Sequence, residues 1–273
     1  MTADSPDADR RKREEAEFHD RLRGAELLED RREYERLTSN RRFYSIDRGS
    51  RRFIADWLAA RCRGKRVLDY CCGDGYYSLI AARNGGTAVG IDLSPVSIEN
   101  CKRQAQHEGL AAHTDFLVMD AEALTFPDES FDLACVSGVL HHLELGRAYA
   151  ELARVLKPNG AVVSLEALGH NALIRAYRMR TPHLRTSWET QHIIRMQDLE
   201  LAKTYFKRVE FKFFHLATLA AVPFRRTPVF LPLLSALEAI DSVLLRIPGL
   251  REQAWMIGFV LAEPLDRSVK TAD

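Results

Sequence analysis

The chain has 273 residues, 46% hydrophobic and 28% charged, and its 39 basic and 38 acidic side chains leave a net charge of +1. That length and composition fit a globular chain with one large domain and additions to it. The near-neutral balance excludes a global field that would draw in nucleic acid or an anionic membrane, so any electrostatic preference is local.

At the N-terminus, "MTADSPDADRRKREE" lacks the apolar core of a signal peptide, and residues 8 to 39 are helix formers and charges with sparse apolar positions Phe18, Leu22, Leu27, Leu28, Tyr34 and Leu37. One or two amphipathic surface helices are expected, as a solvated extension or as a lid. The five cysteines, Cys62, Cys71, Cys72, Cys101 and Cys135, are odd in number and irregularly spaced, which points to a reducing cytoplasm rather than a disulfide framework. Neither a CxxC pair nor HExxH occurs, so no metal site is expected, His141, His142 and Glu144 being the one grouping that argues otherwise.

From about 50 to 166, apolar runs of strand length alternate with helical stretches. "RFIADWLAARC" has helical spacing, "RVLDYC" reads as a buried strand, and "YYSLIAARNG" as a helix stopped by Gly85 and Gly86. The strand "TAVGIDL" follows, then "SPVSIENCKRQAQHEG" as a helix opened by Ser94 and Pro95. "TDFLVMDA" and "FDLACVS" read as strands, "GRAYAELARVLKPNG" as a helix ended by a Pro and Gly turn, and "AVVSLEA" as the next strand. Such alternation predicts βαβ units, a parallel sheet, and a ligand at the carboxyl ends of the strands. The stretch 71 to 75 is then the loop after the first strand, where Gly73 and Gly75 let a ligand lie against the backbone and the next helix offers its N–H groups. A dinucleotide and S-adenosylmethionine both use such a loop, and Asp92 would take ribose hydroxyls in either case.

Taken together, "VLDYCCGDG", "VGIDLS", "FLVMDAEAL", "FDLACVSGVLHHL" and "ELARVLKPNGAVV" resemble the ordered motifs of class I S-adenosylmethionine-dependent methyltransferases, nearest to the group that includes ubiquinone and menaquinone biosynthesis methyltransferases. The resemblance covers residues 50 to 166. It implies S-adenosyl-L-methionine as cofactor, with Asp69 toward its amino group, Gly73 and Gly75 along the methionine part, Asp92 with Leu93 at the ribose, Asp120 with the Ala121 backbone at the adenine, and Ser137 at the end of the fourth strand. Cys71 stands where the family usually has its first loop glycine, and packing is the expected role for it.

Methyl transfer from a sulfonium is an in-line displacement, so the protein aligns the acceptor, excludes water and, for a hydroxyl, accepts a proton. Candidate bases follow the fourth and fifth strands: His141 in "VLHHL" and His170 in "SLEALGHN" as catalytic residues, Glu166 as a substrate contact. Tyr44 in "RRFYSIDRG" is a further substrate contact from a segment expected to fold over the site. Residues 170 to 230 hold eleven basic and four acidic side chains, and this local excess admits an anionic acceptor anchored by Arg175, Arg178 and Arg185. "RVEFKFFHLATL" and "AWMIGFVLAEP" read as the last two strands. Between them the stripe Phe230, Leu233, Leu234, Leu237, Ile240, Leu244 and Ile247 has helical spacing, expected as core or the seam of a homodimer, or else as a pocket wall or a membrane-facing surface, and is too short and too charged for a membrane span.

The expected architecture is a doubly wound α/β sheet of seven strands, Rossmann-like, with a helical N-terminal extension (1–49), a cofactor-binding core (50–166), a cap insertion with the last core helix (167–204), and terminal strands with a helical insertion (205–273, insertion 224–250). The expected activity is methylation of a small molecule, on oxygen ahead of nitrogen or carbon. Two other readings stand beside it: a nicotinamide-dependent oxidoreductase, and a protein of this fold that regulates or scaffolds without catalysis. A nucleic acid substrate is not expected, because "VSGV" replaces an NPPY-like motif and no basic binding module is appended.

Overall fold

The computed structural model describes residues 6–24 and 38–265. Of the N-terminal apolar pattern, Leu27, Leu28, Tyr34 and Leu37 lie outside the described residues. In chain order the helices and strands begin with α1 (Pro6–Gly24), α2 (Arg48–Ala59), β1 (Arg66–Tyr70), α3 (Tyr76–Arg83), β2 (Thr87–Asp92), α4 (Pro95–His107), β3 (Thr114–Val118) and β4 (Phe131–Ser137). They continue with α5 (Leu145–Val155), β5 (Leu156–Ala167), α6 (Ala172–Arg180), α7 (Ser187–Gln191), α8 (Met196–Ala202), β6 (Phe206–Phe214), α9 (Phe230–Leu244) and β7 (Met256–Pro264). The chain divides into two compact units, one of Arg52–Glu166, Arg195–Lys212 and the stretch from Gly258, the other of the stretch to Arg51, Ala167–Ile194 and Phe213–Ile257.

The first unit is built on a seven-stranded sheet of order β3-β2-β1-β4-β5-β7-β6. β1 pairs in parallel with β2 and with β4, β2 with β3, and β4 with β5. β1 and β2 are buried along all but their first residue, which is why both read as unbroken apolar runs rather than alternating ones. The strand order runs outward in opposite directions from β1 and β4, so a crevice opens at their carboxyl ends, where ligands of such sheets bind.

Local signals place the helices. Ser94 caps α4, its side chain accepting the Ser97 N–H at 3.0 Å with Pro95 in the first turn, as the sequence reading expects. Glu144 caps α5 by accepting from Gly146 N (3.0 Å) and Arg147 N (2.8 Å). The stretch "LKPNG" differs from expectation: α5 stops at Val155 and Leu156 already pairs with Phe131, after which the register jumps so that Ala161 faces Leu133. Pro158 has no N–H to give a ladder, and the irregularity falls where it sits.

The second unit is helical, with 3-10 stretches at Ser39–Ile46 and Ala217–Phe224. A buried polar chain runs through it. His215 contacts Ser50 Oγ through Nε2 at 2.9 Å and Thr218 Oγ1 through Nδ1 at 3.3 Å, and Asp241 accepts from the Thr218 hydroxyl at 2.9 Å. Asp241 also accepts the backbone N–H groups of Leu216, Ala217 and Thr218, satisfying the start of the 3-10 stretch. Burial holds the imidazole of His215 down to about 4, so it is neutral near pH 7. The stripe on α9 is neither wholly core nor wholly buried: Leu234 is buried, Phe230, Leu233, Leu237 and Leu244 are half-buried, and Ile240 is exposed.

Candidate active site

The site of the first unit starts from the turn after β1. Cys71, Gly73 and Gly75 all have positive φ, at 58°, 57° and 74°. Glycine adopts that region freely, whereas for a residue with a Cβ it costs roughly 1–2 kcal/mol, so Cys71 sits where the chain would favour the glycine that related motifs carry. At Gly75 a Cβ would lie 2.9 Å from Cys101 Sγ, and the residue must also be left-handed to open α3. The loop is held by Cys72 N donating to Ile91 O (2.7 Å) and by Cys101 Sγ donating to Gly73 O (3.4 Å).

Asp69 lies one residue before the end of β1, in register with Gly90 on one side and Cys135 on the other. It is 3% exposed. One carboxylate oxygen accepts from Ser78 N (2.9 Å) and Ser78 Oγ (2.7 Å), and the other accepts from Cys135 Sγ (3.4 Å). Asp69 therefore caps α3 from inside the sheet, a role the sequence reading missed because the partner lies nine residues on in a different element. Burial raises its pKa to about 7, and the bonds from Ser78 only partly offset that. Asp92, at the end of β2, accepts from Gly73 N (3.0 Å) and Ser94 N (2.9 Å), tying loop to strand. Leu93 beside it is half-buried.

After β3, Asp120 accepts from Glu122 N (2.9 Å), and the buried Ala121 has its carbonyl held by the Tyr70 hydroxyl at 2.5 Å. Cys71 is half-buried among these groups; desolvation first, then the charges of Asp92, Asp120, Asp69 and Glu122, push its thiol well up. It stays protonated. Three carboxylates at or just after three strand ends thus lie beside a backbone turn.

Across the switch point, Ser137 ends β4 and is half-buried. His141 is buried in the 3-10 turn Leu140–His142, its ring 4.2 Å from that of His142. Glu166 lies inside β5 rather than after it, and it is fully buried. Its Oε2 meets His141 Nδ1 at 2.8 Å, while Oε1 accepts the N–H groups of Val139 and Leu140, each at 2.9 Å. Glu166 is thereby a partner of His141, which its expected place as a substrate contact did not anticipate. A glutamate in a buried apolar strand was the available signal.

The remaining sequence candidates belong to the second unit. His170 is half-buried in the turn between β5 and α6, Tyr44 is 43% exposed with its ring 5.6 Å from Trp255, and Arg175 is exposed on α6. The side chains of Arg178 and Arg185 are only 12% and 7% exposed, both against Glu189 Oε1, at 3.2 and 3.3 Å. Arg178 Nη2 also donates to Glu189 O (2.9 Å), and Arg185 Nη1 to Thr181 O (2.9 Å). Arg185, rather than Arg175, therefore shares the carboxylate with Arg178.

Residues 68–164 match the family described as a methyltransferase domain. That stretch is a methyltransferase domain, on a sheet of the class I S-adenosylmethionine-dependent methyltransferase fold. The chain is 37% identical over 112 residues to a demethylmenaquinone methyltransferase of Thermus thermophilus, a match covering 40% of this chain and 50% of that protein. It is 35% identical over 129 residues to a ubiquinone/menaquinone biosynthesis C-methyltransferase of Dinoroseobacter shibae, covering 45% and 51%. The chain spans about half the length of the curated relatives it matches. A crystal structure of geranyl diphosphate C-methyltransferase from Streptomyces coelicolor shares the fold, with a TM-score of 0.53 at 14% identity over 77% of this chain and 74% of that one.

Proposed function

We propose that the chain transfers the methyl group of S-adenosylmethionine to a hydroxyl-bearing small molecule. The observation that carries this reading is the placement of Asp69 and Asp92 at the carboxyl ends of β1 and β2, and of Asp120 just after β3, beside the left-handed Gly73–Gly75 turn that Asp92 holds. This set of acceptors suits a ligand that donates from an ammonium, two ribose hydroxyls and an adenine amine. Bound there, S-adenosylmethionine supplies an electrophilic methyl on a sulfonium. Asp69, raised to about 7 by burial, is stabilised in its ionised form by a cation, and the cofactor's amino group is such a cation. Asp92 accepts from the ribose, and Asp120 with the Ala121 backbone addresses the adenine.

His141 is the general base. The Glu166 carboxylate meets Nδ1, and with the ring proton assigned to that nitrogen the basic role, taking the acceptor's proton as its oxygen attacks, falls to Nε2. Glu166 itself is a positioning residue. In the second unit, two guanidiniums against one carboxylate make a buried group with an excess of positive charge, and burial holds Arg178 below the ordinary guanidinium range. That group, considered within its own unit, suits a carboxylate or phosphate. With His141 as the base, turnover is expected to survive chelation, and loss of turnover on chelation with recovery on adding a divalent cation would make His141 and His142 metal ligands instead.

A second reading is methylation of a ring carbon activated by the same deprotonated hydroxyl, favoured by the name C-methyltransferase that the Dinoroseobacter relative bears. Calorimetry tests the cofactor: S-adenosylhomocysteine is expected to bind and NAD not to, and tighter binding of NAD overturns the reading. With hydroxylated aromatic acids as probes, mass spectrometry reads methyl gain and NMR of the product separates a methoxyl from a C-methyl signal.

A further inference from the structure

Helix α9 departs from what a surface helix usually does. Such a helix turns its charges to water and its apolar stripe to the body. On α9 only Leu234 and Asp241 are buried, and the exposed positions from Leu231 to Val243 carry no charge. Its two acidic residues are both engaged elsewhere: Glu238 receives the Arg48 guanidinium, with Nε at 2.7 Å, and Asp241 caps the 3-10 stretch. What faces outward is Leu231 at 60% exposure, Ile240 at 47% and Val243 at 60%, extended by Val229 before the helix and Ile247 and Leu250 after it. Seven of the fifteen large apolar side chains exposed among the described residues fall within 224–250, so this is a concentrated patch rather than ordinary surface scatter.

The rim of the patch is basic. Arg226 is exposed next to Arg225 at one end, and Arg246 is exposed at the other. That arrangement selects the occupant. A second copy laid along the helix, in either direction, would set arginines against arginines, and Glu238, the partly exposed acid on α9, is already paired with Arg48. An apolar strip framed by cations instead matches the interfacial layer of a bilayer with anionic headgroups, where acyl chains take the apolar face and phosphates take the arginines. No described helix is long and apolar enough to cross a membrane, which agrees with an element lying in the surface.

We propose that α9 and its flanking turns form an interfacial membrane-binding element for anionic lipid surfaces. This inference does not depend on methyl transfer. Flotation of the full chain with vesicles of phosphatidylcholine, with and without phosphatidylglycerol, tests it. Wild type is expected to float with the mixed vesicles, and binding to fall roughly tenfold in high salt or in Arg226→Glu with Arg246→Glu. Ile240→Asp with Val243→Asp is expected to abolish flotation, while far-UV circular dichroism and S-adenosylhomocysteine affinity stay at wild-type values. Those exposed positions leave the core untouched, so loss of flotation reports the surface itself. A wild type that fails to float with anionic vesicles, or an aspartate variant that floats as well as wild type, overturns the proposal. So does sedimentation equilibrium that finds a dimer split by the aspartate variant without vesicle binding, which gives the face to a second copy.

Discussion

Replacing Asp69 by asparagine tests the electrostatics of the site most directly. The carboxyl is buried and its pKa is raised from the ordinary 3.8 to about 7. Between these values the folded chain holds a proton that the unfolded chain has released, so wild-type stability falls as pH rises through that window and is level above about 7. The full penalty above pH 7 is on the order of 4 kcal/mol. The asparagine side chain carries no charge to desolvate and keeps an oxygen for Ser78 N and Oγ, at the cost of weaker neutral hydrogen bonds worth about 1–2 kcal/mol. Asp69→Asn is therefore expected to be more stable than wild type by roughly 2 kcal/mol at pH 8, with the advantage shrinking by about 1.4 kcal/mol per pH unit below 7. The same variant should lose about tenfold or more in S-adenosylhomocysteine affinity, because the ammonium has lost its counter-charge. Urea denaturation of both proteins at several pH values between 5 and 8, with calorimetry at each, reads both effects. A stability difference that does not change with pH would refute the argument that a buried, ionisable Asp69 controls this end of the sheet.

Glu166→Gln should separate positioning from packing. The glutamine oxygen can still accept from Val139 N and Leu140 N, but its amide then donates toward His141 Nδ1 and moves the ring proton to Nε2, so kcat is expected to fall roughly 100-fold with cofactor affinity unchanged. Steady-state kinetics across pH checks it, and unchanged kcat would dismiss His141 as the base. Cys71→Gly should raise stability by up to about 1 kcal/mol by relieving the left-handed backbone, whereas Cys71→Val should lower it by at least as much. Thermal denaturation of the pair decides, since a dominant packing role for the thiol would instead lower both.

Much of the sheet was legible because its information is local. Buried parallel strands must be apolar on both faces, so β1, β2 and β4 appear as runs, and the caps Ser94 and Pro95 mark α4 within four residues of chain. The turn at 71–75 was legible for the same reason, since glycines at positive φ leave a sequence trace. Where a signal spanned elements, it was lost. Asp69 capping α3, Cys135 beside it, Tyr70 holding Ala121 and Glu166 orienting His141 join positions 9, 66, 51 and 25 residues apart, and no spacing rule relates such pairs. The ambiguity of α9 had a different origin. Helical periodicity records which residues share a face but not which way that face turns, and only the tertiary structure, by pairing Glu238 with Arg48 and burying Asp241, decided that the exposed positions carry no charge.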